Sequence, residues 1–166
     1  LAGLYLIGRK IIIVKADAKA EDILSGAAVS SDHAIALYAT EKLYSTFDKE
    51  GHQNHKILAR LRPYITNERL PDFIQVPKGA VALVTMEGWC DDAARALIYT
   101  LEKRSIDAHQ WNMQGPSKAH AAVIADFDDG DKALLDPFYG YHTITAQGAV
   151  SPLDAQKNTG AHLCFA

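Results

Sequence analysis

Gly88-Trp89-Cys90-Asp91-Asp92-Ala93-Ala94-Arg95-Ala96-Leu97-Ile98-Tyr99-Thr100-Leu101 is the stretch whose reading decides the fold. Ala94, Leu97, Ile98 and Leu101 recur at i, i+3, i+4 and i+7, the spacing of one buried helical stripe. Arg95, Thr100, Glu102 and Lys103 fall mostly off that stripe. A helix is therefore predicted from Trp89 to about Arg104, about 22 Å long at ~1.5 Å per residue. Gly88 lets the chain turn sharply into it. Cys90 then sits in the first turn, beside backbone N–H groups without intrahelical partners and at the positive end of the helix dipole. Such a position favours a thiolate and can hold an oxyanion formed next to the sulfur. Asp91 and Asp92 suit a helix start, but their charges oppose a neighbouring thiolate. Taken alone, Cys90 reads more readily as a small buried hydrophobe.

Downstream the pattern changes to short strands. Ala108 to Met113 reads as one, Gly115-Pro116-Ser117 as a loop, and His120 to Phe127 as a second strand. Asp128-Asp129-Gly130-Asp131 makes a hairpin turn into a return strand from Lys132 to Leu135, because Asp-Gly between two such runs is a strong hairpin signal. His142 to Ala146 and Ala161 to Phe165 are further short strands by the same reading.

Upstream, Ser30-Ser31-Asp32 signals a helix start with Ser31 or Asp32 as N-cap. That helix is expected to reach about Lys49, with Gly51 ending it. A second helix is expected from about Asn54 to Leu61, since Pro63 blocks continuation. Residues 62–79 hold Pro63, Pro71 and Pro77 and read as a long irregular passage, followed by a buried apolar segment Val81-Ala82-Leu83-Val84. Ile11-Ile12-Ile13-Val14 reads as a strand or as the end of an apolar N-terminal segment. Leu1 to Gly8 is too short to span a bilayer, which takes about 20 residues. It could be the tail of a signal or anchor segment, or an element packed on the domain. Helices first, one central helix, then antiparallel strands indicate an α+β fold.

The chain has 166 residues, a length for one domain. Hydrophobic residues make up 48% and charged residues 22%, the balance of an ordinary globular protein. A net charge of −3 argues against a nucleic-acid partner, which needs a basic face. The two cysteines, Cys90 and Cys164, lack metal-type spacing. His52 and His55 could share one helical face and a metal ion, against the plainer reading of a solvated linker. No metal and no cofactor is expected.

His120 opens its strand directly after the Gly-Pro-Ser loop, where it can face the start of a helix packed across the sheet. Asp136 ends the return strand of the same hairpin, which brings it beside His120. A carboxylate there can bond one ring nitrogen and orient the other toward sulfur. Each residue has a plainer reading: a half-buried strand histidine, and an Asp-Pro turn. It is their order that is specific, with Cys on a helix start, His at a strand start and Asp at the end of the paired strand.

At this point the sequence resembles the transglutaminase-like superfamily, a branch of the papain-like cysteine peptidase fold. The matching pieces are Gly88 to Ala94 with Leu97 and Leu101, Ser105-Ile106-Asp107-Ala108, His120-Ala121-Ala122-Val123, and Leu134-Leu135-Asp136-Pro137. The resemblance covers about residues 60–146 and implies a catalytic core there; residues 1–60 do not match the family and are expected as an N-terminal helical extension of a single domain. It implies a central helix carrying the cysteine, packed on an antiparallel sheet. Nucleophile, base and orienting acid fall on Cys90, His120 and Asp136. The family usually has glycine just before its cysteine, where this chain has Trp89 with Gly88 one earlier. The Cys90 backbone N–H is one oxyanion donor, and Gln75, Trp89 and Thr85 are candidates for the second.

The implied chemistry is attack on an amide or peptide bond through a thioester acyl-enzyme, with a peptide or protein as substrate. Hydrolysis is the expected outcome. Acyl transfer of transglutaminase or acetyltransferase type is the alternative, as is an inactive module that binds peptide or glycan. The apolar N-terminus leaves membrane anchoring open and favours a membrane-associated or extracytoplasmic setting.

Overall fold

A computed structural model describes residues 2–27, 31–49, 56–71, 73–114 and 119–145. The fold is mixed α+β. Five helices come first: α1 (Ala2–Ser25), α2 (Asp32–Thr46), α3 (Lys56–Ile65), α4 (Lys78–Thr85) and α5 (Cys90–Glu102). Four strands follow: β1 (Asp107–Gln114), β2 (Ala119–Asp126), β3 (Lys132–Asp136) and β4 (Tyr141–Thr145). They form an antiparallel meander in the order β1-β2-β3-β4.

Of the α5 stripe that the periodicity picked out, Ala94, Leu97 and Leu101 are buried and Ile98 is half-buried, while Thr100, predicted off the stripe, is buried. Ala93, Ala94, Ala96, Leu97 and Leu101 share the main core with Ala121, Val123 and Ala125 of β2 and Ala133 and Leu135 of β3. The opposite face of the sheet holds a smaller cluster of Ala122, Ile124 and Leu134, with Trp111, Met113 and Tyr141 packed on it. Alternation along a strand produces this division. α1 and α2 add Ala16, Ala20, Ile23, Ala36, Ala39 and Leu43 to the main core, and Phe47, just past α2, joins them. Across α1 and α5, the Tyr99 hydroxyl donates to Asp17 at 2.6 Å, and Lys103 meets the same carboxylate at 2.6 Å.

The upstream elements differ from expectation in three places. Ile11 to Val14 is not a strand: it lies inside the 24-residue α1. Its β-branched residues are carried there by the close seat of Ala16, Ala20 and Ile23 in the core, and tertiary packing overrides local propensity. Pro63 does not end α3, which continues to Ile65 with the proline inside. Ile65 is buried and the Thr66 N–H bonds Arg62 O at 3.0 Å, so the last turn is anchored despite the missing donor. Val81 to Val84 is the buried apolar segment expected, and it lies in α4; a run this short does not distinguish a buried helix from a strand. α2 stops at Thr46 and not near Lys49, because Phe47 turns extended and drops into the core. Its N-cap is Ser31, whose Oγ accepts from Ala34 N.

The downstream strands lie within a residue or so of their predicted bounds. The expected strand at 161–165, Cys164, the pair His52 and His55, and the Gly115-Pro116-Ser117 loop lie outside the described residues. No helix among the described residues is long and apolar enough to cross a membrane.

Candidate active site

Cys90 is the first residue of α5, half-buried and free, and packs against the main core. The turn that delivers it is built by Gly88 and Asp92. Gly88 has φ 140°, and a Cβ there would overlap the Asp92 carboxylate. Asp92 Oδ2 accepts the Trp89 N–H at 3.1 Å and so caps the helix. The Trp89 backbone donor is thus spent, and its indole is 74% exposed. The N–H groups of Cys90 and Asp91 lie in the first helical turn, ahead of the intrahelical ladder, and can receive a developing oxyanion.

Both acidic neighbours of Cys90 are compensated, which the sequence alone did not reveal. Asp92 is buried and ion-paired with Arg62 of α3. Asp91 accepts from Arg95 Nε at 3.0 Å and from Gln110 Nε2 of β1 at 2.8 Å. Burial works to raise the Asp91 pKa, but the bonds from Arg95 and Gln110 outweigh it and hold the carboxyl below its ordinary value. Burial also pulls the Arg62 guanidinium below its usual value, against the attraction of Asp91.

His120 and Asp136 are joined. The β2–β3 ladder ends with Val123 opposite Leu135, and His120 and Asp136 both lie just beyond that end. His120 Nε2 meets Asp136 Oδ2 at 2.6 Å, with residue exposures of 5% and 2%. The second oxygen, Oδ1, accepts the N–H groups of Phe138 and Tyr139, each at 3.0 Å. With Nε2 and both carboxylate oxygens engaged, Nδ1 is the ring nitrogen left for a proton transfer.

Strand alternation assigns His120 and Asp136 to the sheet face opposite α5, with Met113 and Tyr141 as their ladder partners. Both lie at strand ends, where the turn after β3 wraps the site. The His120 ring lies 4.9 Å from that of Tyr139 and 6.3 Å from that of Phe138, and Phe138 packs against the main core. Among the described residues no hydrogen bond reaches the Cys90 sulfur.

A segment missed at the sequence level connects the two halves. Asp48 N donates to Met86 O at 2.7 Å, and Gly88 N donates to Asp48 O at 3.2 Å, so the end of α2 pins the loop before Cys90. Four residues earlier, Tyr44 lies so close to Gly140 that a Cβ there would come within 2.8 Å of its ring. The Lys49 amine sits 3.5 Å over the Tyr44 ring. Burial lowers the Lys49 pKa, while the charge of Asp136 works against that shift. Tyr44 to Lys49 thus touches both the cysteine loop and the turn after Asp136. No sequence motif marks it.

The remaining candidates separate from the site. Gln75 donates to Thr66 O at 3.4 Å and lines a cleft beside Arg95, Ile98, Tyr99 and Glu102, along the middle of α5 and not its first turn. Thr85 is buried with its hydroxyl on Val81 O and Ala82 O. Among the described residues His33, Asp129 and Asp131 could hold a metal ion, with ligand atoms within 4.8 Å of one another. Asp129 and Asp131 lie in the turn of the β2–β3 hairpin and His33 in the first turn of α2, at the end of the hairpin away from His120 and Asp136.

Compared with known protein families, with curated proteins and with solved structures, the chain gives no match.

Proposed function

We propose that the protein is a papain-like thiol enzyme of the transglutaminase type, acting on amide or peptide bonds. The observation that carries this reading is the buried His120–Asp136 bond at the end of a hairpin whose sheet packs on the Cys90 helix. A carboxylate so placed fixes the imidazole tautomer and steadies the imidazolium. The compensated charges of Asp91 and Asp92 support a thiolate beside them.

In this reading the proton of the Cys90 thiol passes to His120 Nδ1 around the strand end that carries His120, since alternation assigns the ring to the sheet face opposite α5, and the sulfur attacks the amide carbon. The carbonyl π pair moves onto oxygen and is received by the first N–H groups of α5. As the tetrahedral species collapses, the C–N bond breaks and the imidazolium protonates the departing amine. A thioester remains on Cys90. Water, deprotonated by His120, attacks that thioester and releases the acid and the free thiol. An amine in place of water would give acyl transfer.

A second reading, a binding module without catalysis, is favoured by one observation: strand alternation assigns His120 and Asp136 to the sheet face opposite α5, the helix that carries Cys90. Alkylation separates the two. Iodoacetamide at mildly acidic pH is expected to modify wild-type Cys90 at least tenfold faster than the His120→Ala protein. Equal rates in both, matching an ordinary free thiol, would refute the enzymatic reading.

A further inference from the structure

We propose that the N-terminal half of α1 rests on an anionic membrane surface. α1 is apolar on two sides. One side, with Ala16, Ala20 and Ile23, is in the core. On the other side Ile7, Ile11 and Val14 are exposed, Ile7 by 59% and Val14 by 57%. Ile7, Ile11 and Val14 follow the i, i+4, i+7 spacing, so they form one stripe along the helix.

Charge selects what covers this stripe. At about 100° per residue, Lys10 and Lys15 fall roughly 70° to either side of it. Both lysines line the same shallow apolar depression as Ile7, Ile11 and Val14. The first sixteen residues hold Arg9, Lys10 and Lys15 and no acidic residue. Beyond Val14 the face changes character, with Glu21 and Asp22 exposed and Glu21 paired to Arg104. A second copy laid face to face would bring the lysines of both chains together and is disfavoured. An anionic bilayer accepts both features: the apolar side chains enter the acyl boundary and the flanking amines meet headgroup charge. The polar continuation from Asp17 onward would keep the second half of α1 out of the bilayer and on the domain.

The test is co-sedimentation of the full chain with vesicles of phosphatidylcholine and phosphatidylglycerol at 70:30, and with phosphatidylcholine alone. Binding is expected to the mixed vesicles, to weaken several-fold at high salt and to be negligible on the neutral ones. Lys10→Gln/Lys15→Gln should reduce the affinity about 25-fold, at about fivefold per lysine. Ile7→Ser/Ile11→Ser/Val14→Ser should abolish binding while circular dichroism and thermal midpoint stay unchanged, since these side chains face outward. No binding by the wild type, equal binding to both vesicles, or binding retained in the triple variant would overturn the proposal. A wild-type dimer that the triple variant converts to monomer, without vesicle binding, would assign the stripe to a second copy and equally overturn it.

Discussion

His120 Nε2 and Asp136 Oδ2 stand 2.6 Å apart with both side chains almost wholly out of water. The same carboxylate, through Oδ1, holds the first two amides of the turn after Pro137. One residue thus orients a ring and shapes a loop. Removing it should be costlier than changing its charge.

Asp136→Ala leaves a buried imidazole nitrogen and two amides without partners, and should cost about 3–5 kcal/mol. Asp136→Asn keeps an acceptor for both amides and should cost about 1–2 kcal/mol. Urea unfolding of the three proteins checks the order. Equal losses would mean that the turn amides contribute nothing.

Arg62 and Asp92 form the pair that ties α3 to the cysteine helix. Arg62→Met strands a buried carboxylate and should cost about 3 kcal/mol or more. Adding Asp92→Asn should return part of that loss, because the amide oxygen still caps the Trp89 N–H. A double-mutant cycle is expected to give a coupling of at least about 1 kcal/mol.

Gly88 and Gly130 both hold positive φ, at 140° and 88°, but only Gly88 has a neighbour in the way. Gly130→Ala should cost only backbone strain, about 1 kcal/mol. Gly88→Ala must also displace Asp92 from the cap, for a total of about 2–4 kcal/mol. Thermal melts of the two proteins should separate clearly. A Gly88→Ala melt matching that of Gly130→Ala would remove Asp92 from the account.

The pH dependence follows from Asp17 and Asp91. Burial opposes ionisation of both, yet Lys103 and Tyr99 at Asp17, and Arg95 and Gln110 at Asp91, hold their pKa values below the ordinary range. A carboxyl lowered in the folded state stabilises it above the unfolded pKa, about 3.9. That stability is lost as pH falls through the folded value. Acid unfolding of the wild type should therefore lie below pH 4. Arg95→Gln should move its midpoint upward, as followed by circular dichroism, and high salt should narrow the difference.

The strongest local patterns carried furthest. The α5 stripe and the Asp128 to Asp131 hairpin turn were legible because short-range periodicity and turn chemistry fix them. From these two elements the neighbourhood of His120 and Asp136 followed, since a hairpin sets its own register. α4 was not legible as a helix, because an apolar run within eight residues fits a buried strand as well as a buried helix turn. Pro63 inside α3 ran against its local meaning, and the pairing of Arg62 with Asp92 joins residues thirty apart in sequence with no shared motif. Nor did anything local mark Asp48 or Lys49, whose positions depend on where α2 ends.

The segment from Tyr44 to Lys49 has a consequence for how the molecule opens. It holds the cysteine loop through Asp48 and abuts the turn after Asp136 through Tyr44. A fluctuation that frees the end of α2 would release both at once, as a single cooperative opening unit. The Gly88 amide, bonded to Asp48 O, and the Gly140 amide, bonded to Asp136 O, should then exchange with solvent deuterium at matched opening free energies, although they belong to different halves of the fold.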